Sequence, residues 1–193
     1  MPNISANRIN ELFNNKKLRS FFLKLRYPLF ICLAVILIKY IKSSFFLAGF
    51  IISMSGELIQ LWCFASLDKN KTLSIKGPYI LVRNPMYLGR FFLLLGCIIL
   101  VGNLWLISGY TILYYFYMAN RVKREEKKLK PLFGEDFEKY CHNVNRFLPS
   151  FKGIDINALW FFKWKLFFKN NGHWNLVGLL AAFALFYFFT FIH

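Results

Sequence analysis

Five stretches of the chain are almost continuously apolar: Tyr27 to Ile41, Phe45 to Leu67, Tyr87 to Val101, Leu104 to Ala119 and Trp174 to Ile192. Basic and polar segments separate them. A helix needs about 20 apolar residues to cross a bilayer core. The first and third stretches are short for this, so their polar flanks must lie near the interface or the helices must lengthen into them. Gly102-Asn103 is a turn signal inside the central apolar region.

Charge decides whether the chain reverses there. Six Lys/Arg precede Tyr27, five lie between Leu67 and Arg90, and twelve lie between Arg121 and Lys169. Only Lys39 and Lys42 of the 25 fall elsewhere. Putting the three basic groups on one side requires an even number of crossings between Arg90 and Arg121, hence a hairpin. The positive-inside rule then predicts an all-α integral membrane protein of about five spans, with the N-terminus cytoplasmic and the C-terminus outside. The +16 net charge follows from this topology plus anionic headgroups, and nucleic acid is not an expected partner.

Composition agrees: 57% of the 193 residues are hydrophobic and 20% aromatic, too apolar for an ordinary soluble surface. The cysteines form no C-x-x-C or metal-like pair, so they read as structural and reduced, and no metal is expected. No cleavable signal is evident. Residues 1–26 carry Ile9, Leu12, Phe13, Phe21, Phe22 and Leu25 at helical spacing among basic residues, as an interfacial helix would. Residues 157–171 mix Trp, Phe and Lys and read as a second interfacial segment before a C-terminal span over 174–192. The whole is expected to be one domain, with its catalytic core in 55–149.

Two polar segments share the expected cytoplasmic face. In the first, Gly77-Pro78 and Asn84-Pro85 enforce turns or extended backbone. Non-helical backbone at membrane depth persists where protein covers it or a cavity hydrates it. Both a structured loop entering a pocket and a plain interfacial turn satisfy that condition. The second segment, Asn120 to Pro149, extends the fourth span into a charged helix that Pro131 should end or kink. Arg121 with Glu125, and Glu126 with Lys130, stand at i, i+4, so ordinary surface pairing is one reading of both acids. Lying within the first turns past a span, Arg121 to Glu125 would also reach a pocket beneath the headgroups. Glu57, a lone acid in an apolar span with Gln60 nearby, reads as a structural partner for a residue such as Asn103 or Trp105, or as part of a site. His142 reads as a surface histidine.

The ordered set GPY-x3-R-N-P-x-Y-x-G, R-x3-EE, FG-x2-F-x2-Y and a closing LP resembles the isoprenylcysteine carboxyl methyltransferase family and its phospholipid methyltransferase relatives, in a bacterial-type form. The resemblance runs from about Ser55 to Pro149. It implies an integral membrane enzyme, in a bacterial inner membrane or its equivalent, that moves a methyl group from S-adenosylmethionine to a membrane lipid or lipidated acceptor. It further implies that Lys71, Thr72, Leu73, Ser74, Tyr79, Asn84, Pro85, Met86 and Tyr87 line the cofactor cleft with Glu125, and that Arg121 and Arg83 face the acceptor. Asn84 stands where the family usually has histidine, and Lys71 where the prenylcysteine enzymes have another. Asparagine can hydrogen-bond a cofactor but does not titrate near neutrality.

The chemistry suits these residue types. An acid can bind the donor's amino group or ribose hydroxyls, basic groups its carboxylate, and tyrosines its adenine or sulfonium. An ionised carboxylate or phosphate acceptor needs no general base, only cations that position it. The arginine-rich, base-poor motifs therefore point to an anionic oxygen, such as a lipid phosphate or carboxylate. A phosphatidylethanolamine-type N-methyltransferase, an NADPH-dependent sterol-reductase-like protein and a non-enzymatic membrane adaptor are the other readings. The oligomeric state is not legible.

Overall fold

The computed structural model describes residues 35, 38–68, 73–150 and 155–192. The expected interfacial segment 1–26, most of the first expected span, and the cofactor candidates Lys71 and Thr72 lie outside these residues. Among the described residues all regular structure is helical.

Helix α1 (Ser43–Ser66) has 24 residues, a rise of about 36 Å. Helix α2 (Pro85–Ile99) returns beside it, and α1 and α2 make the most extensive helix contact among the described residues. Small residues permit this approach, as in membrane helix pairs generally. A Cβ at Gly56 would run into the backbone of Gly89 and Leu93, and one at Gly96 into Ser53 and Gly49. Ser53 Oγ donates to Leu93 O at 2.8 Å, fixing the register of the pair.

The chain reverses after α2. Gly102 takes a positive φ of 60°, and Asn103 caps the next helix by accepting from Trp105 N (2.9 Å) and Leu106 N (3.2 Å). Helix α3 (Leu104–Asn143) then runs antiparallel to α2. Tyr110 Oη donates to Phe91 O at 3.0 Å and Tyr114 Oη to Tyr87 O at 2.7 Å. The helix continues through Pro131 and breaks at Gly134, with φ 49° and ψ −126°. Proline's fixed φ is itself helical, whereas the reversal needs a positive φ that glycine alone takes without strain. So the break falls three residues later than the sequence suggests. Beyond it the helix folds back, and Tyr140 Oη donates to Tyr79 O at 2.7 Å.

The short helices α4 (Ile156–Leu159) and α5 (Trp164–Lys169) lead into α6 (Gly172–Phe191). This Trp/Phe/Lys segment does more than lie at an interface: it caps the end of α1. Asn170 Nδ2 donates to Phe64 O and Leu67 O, both at 2.8 Å, and Lys163 N donates to Ala65 O at 3.1 Å. These carbonyls have no partner within the helix, so such capping satisfies them. Phe161 O also accepts from Ser66 Oγ at 3.0 Å and Trp62 Nε1 at 3.3 Å. Helix α6 packs antiparallel on α1 through Phe46, Phe50, Phe183 and Phe186.

Of the five expected spans, α1 and α6 are the described helices long and apolar enough to cross a membrane. Helix α2 has 15 residues, a rise of about 22 Å, short of the roughly 30 Å core. Leu47, Ile51 and Leu58 on α1, Leu104, Trp105 and Ile112 on α3, and Leu185 and Phe188 on α6 all face outward. Such extensive apolar exposure suits a bilayer. Glu57 is 1% exposed within this bundle. Its partner is Gln60, whose Nε2 donates to Oε2 at 3.4 Å, not Asn103 or Trp105. Asn103 is occupied in capping α3, and Trp105 is 87% exposed.

Candidate active site

The first turn of α2 and the middle of α3 bring the two polar motifs together. Pro85 opens α2 at its first position, where a missing N–H costs nothing. This directs Tyr87 toward α3, where its hydroxyl donates to Glu125 Oε1 at 2.6 Å. Arg121 Nε donates to the Tyr87 hydroxyl at 3.1 Å and lies 3.1 Å from Glu125 Oε1. Tyr87 is buried, while the side chains of Arg121 and Glu125 are 42% and 38% exposed. The centre therefore has a rigid floor and two accessible charged walls. The Tyr87 hydroxyl raises Arg121 above its ordinary value, so the guanidinium stays cationic. Both of its contacts use Nε, which leaves the two terminal amino groups directed to no partner among the described residues.

Arg83 does not join this group. Its Nη1 lies 3.2 Å from Glu126 Oε1 and donates to Cys141 Sγ at 2.8 Å. Glu126 also takes Arg146, through Nε to Oε1 at 3.1 Å and through Nη2 to Oε2. Glu126 thus pairs with two arginines from elsewhere in the fold instead of Lys130 one turn on. Arg83 is largely buried against it, and Lys130 crosses the Gly134 break to Glu138 at 2.9 Å. Backbone bonds tie the same region: Arg83 N to Asn145 O at 2.9 Å, and Ser150 N to Leu81 O at 2.8 Å. These fasten the closing LP segment onto the first motif.

Asn84 Nδ2 reaches Arg146 O at 3.4 Å. Pro85 is fully buried, and Met86 packs against the cluster of Leu61, Phe64, Ala65 and Phe167. Their side chains support the loop from the hydrophobic side. Tyr79 is buried with its hydroxyl against Cys63, and burial pushes that phenol well above its ordinary value. Leu73 and Ser74 are half-buried on the approach to the 3-10 turn Gly77–Ile80. Cys141, Arg146, Tyr114 and Tyr140 were not sequence candidates. The FG-x2-F-x2-Y motif carried the signal for Tyr140, since its glycine supplies the break and its aromatic residues the contact with Tyr79.

The model of the phospholipid methyltransferase family matches residues 41–136. Protein-S-isoprenylcysteine O-methyltransferase from Xenopus laevis is 34% identical over 120 residues, covering 56% of this chain and 42% of the relative. The protein of that name from Schizosaccharomyces pombe is 27% identical over 62% of this chain and 47% of its own. The one from Homo sapiens is 29% identical over 60% of this chain and 38% of its own. The matched region spans under half the length of these curated relatives. No solved structure matches the chain. The matched residues contain Tyr87, Arg121 and Glu125, and on these likenesses the chain belongs to the isoprenylcysteine carboxyl methyltransferase and phospholipid methyltransferase family.

Proposed function

We propose that this chain is an S-adenosylmethionine-dependent methyltransferase that methylates an anionic oxygen of a lipid or lipid-linked acceptor, with a carboxylate favoured over a phosphate. The observation that carries the proposal is the Tyr87–Arg121–Glu125 centre, where the two motifs meet at an accessible cation and an accessible acid. The relatives' names specify an O-methyltransferase of isoprenylcysteine, which supports a carboxylate.

The donor set fits the cofactor. Glu125 is half-exposed, a carboxyl group suited to an amino group or ribose hydroxyls, and Tyr87 fixes it from below. Tyr79 and Asn84 supply an aromatic ring and an uncharged amide nearby in the chain. When bound, such a donor would supply an electrophilic methyl carbon on a sulfonium; an ionised acceptor oxygen would bond to that carbon as the carbon–sulfur bond breaks and the sulfur leaves as the neutral thioether of S-adenosylhomocysteine. The work of the protein is then positioning. Arg121 holds the acceptor oxygens through its two free terminal amino groups, a bidentate grip that leaves a lone pair for attack. Arg83 acts as a positioning residue through Glu126, which immediately follows Glu125.

In this reading the chain crosses the bilayer five times, with both motifs on the cytoplasmic side and the acceptor arriving laterally from the lipid. Binding of S-adenosylhomocysteine and NADPH to the purified protein tests the cofactor assignment. Saturable S-adenosylhomocysteine binding that weakens in Glu125→Ala is expected. Tighter binding of NADPH, or no binding of either, overturns it.

A further inference from the structure

A second polar feature lies on the other flank of α3. Residues 121 and 125 point to Tyr87, whereas 123, 126, 127 and 130 recur at three- and four-residue spacing and form a separate stripe. This stripe, with Arg83, Phe137, Glu138, Cys141 and Arg146, lines a cleft of about 350 Å³.

Its charge is unbalanced. Among the described lining residues, Arg83, Lys123, Lys127, Lys130 and Arg146 stand against two acids, Glu126 and Glu138. Both acids are committed, Glu126 to the two arginines and Glu138 to Lys130. Lys123 and Lys127 are exposed and have no carboxylate partner among the described residues. Two exposed ammonium groups beside the paired guanidinium of Arg83, in a cleft that the buried ring of Phe137 also lines, suit a phosphate with an organic substituent.

Depth selects the source of that phosphate. Lys123 stands four residues past the end of the apolar run at Ala119, about 6 Å along the axis. The headgroup layer on each side of the hydrocarbon core is about that thick. Each basic residue there gains about 1 kcal/mol from an anionic leaflet. The depth argument rests on the membrane-enzyme reading above; the charge argument does not.

We infer that this cleft binds the phosphodiester headgroup of an anionic phospholipid, at a site separate from the Tyr87–Arg121–Glu125 centre. The full chain in neutral detergent is titrated with short-chain phosphatidylglycerol, and bound lipid is measured by native mass spectrometry. Saturable binding is expected, weakened at least about tenfold in the K123Q/K127Q double variant. The charge-matched K139Q/K165Q variant, altered outside the cleft, should bind as the parent does. Equal loss in both variants, or none in either, overturns the site, as does equally tight binding of short-chain phosphatidylcholine. Competition by inorganic phosphate at matched concentration assigns the cleft to soluble anions and overturns the lipid. S-adenosylhomocysteine affinity should be unchanged in K123Q/K127Q; a parallel loss makes the cleft part of the cofactor site and overturns their separation. A parent protein that ignores S-adenosylhomocysteine defeats the proposed function, while the lipid titration still decides the cleft.

Discussion

The hydroxyl of Tyr87 lies 2.6 Å from the carboxylate of Glu125, bridging residues 38 apart in sequence. It is one of the direct links between the two motifs, with Arg121 Nε completing a triangle at 3.1 Å from each. Tyr87→Phe removes that link but keeps the ring and leaves Glu125 paired with Arg121. A hydrogen bond to a charged group contributes about 1.5–3 kcal/mol, so S-adenosylhomocysteine affinity should fall about tenfold or more. Calorimetric binding checks this. An affinity equal to that of the parent would detach Tyr87 from the cofactor.

A variant of Arg121 tells the proposed acceptor role apart from cofactor binding. Arg121→Ala deletes two donors that act on the acceptor in the proposed mechanism, a loss of about 3 kcal/mol or more, hence at least about a hundredfold in turnover. Cofactor affinity should stay within a few-fold. Arg121→Lys restores charge without the planar fork and should recover only part of the rate. Steady-state kinetics paired with binding decides it, since a fall in cofactor affinity matching the fall in rate places Arg121 on the wrong ligand.

Asn170 satisfies two carbonyls at the end of α1. Asn170→Ala leaves both without that donor, at a cost of about 1–3 kcal/mol. Thermal unfolding in detergent should show a lower midpoint. An unchanged midpoint means that the capping segment does not hold α1.

The α1–α2 contact makes a contrast between two glycines. Gly56→Val forces a side chain into the backbone of Gly89 and Leu93, and overpacking of this kind costs about 1–3 kcal/mol. A Cβ at Gly109 on α3 meets nothing within 4 Å. Gly109→Ala should leave stability unchanged or raise it by up to about 1 kcal/mol through helix propensity. Equal effects at both positions would contradict the close packing of α1 against α2.

Parts of this architecture were legible because they are local. Apolar run length placed α1 within two residues at its start and one at its end, and α6 likewise within two and one. Asn103, next to Gly102, marked the reversal through turn and cap chemistry. What escaped was tertiary. Helical spacing offered Glu126 to Lys130, but Arg83 and Arg146 arrive from other segments and take it. The Pro131 signal was real chemistry at the wrong residue, because the reversal needed the positive φ of Gly134. The Trp/Phe/Lys composition of 157–171 indicated an interface and concealed that Lys163 and Asn170 cap another helix. Arg83 and Arg121 look equivalent as motif arginines, yet burial and partners give them different surroundings.

The central claim is methyl transfer to a lipid-borne oxygen, and one measurement addresses it most directly. The purified protein is incubated with methyl-labelled S-adenosylmethionine and a total lipid extract, and the extracted lipid is then treated with mild alkali. The account predicts label in the lipid fraction that alkali releases, as from a carboxylate ester, and that Arg121→Ala does not incorporate. Label that survives alkali would mean methylation at an amine and contradict the anionic acceptor; lipid that gains no label would contradict the enzyme.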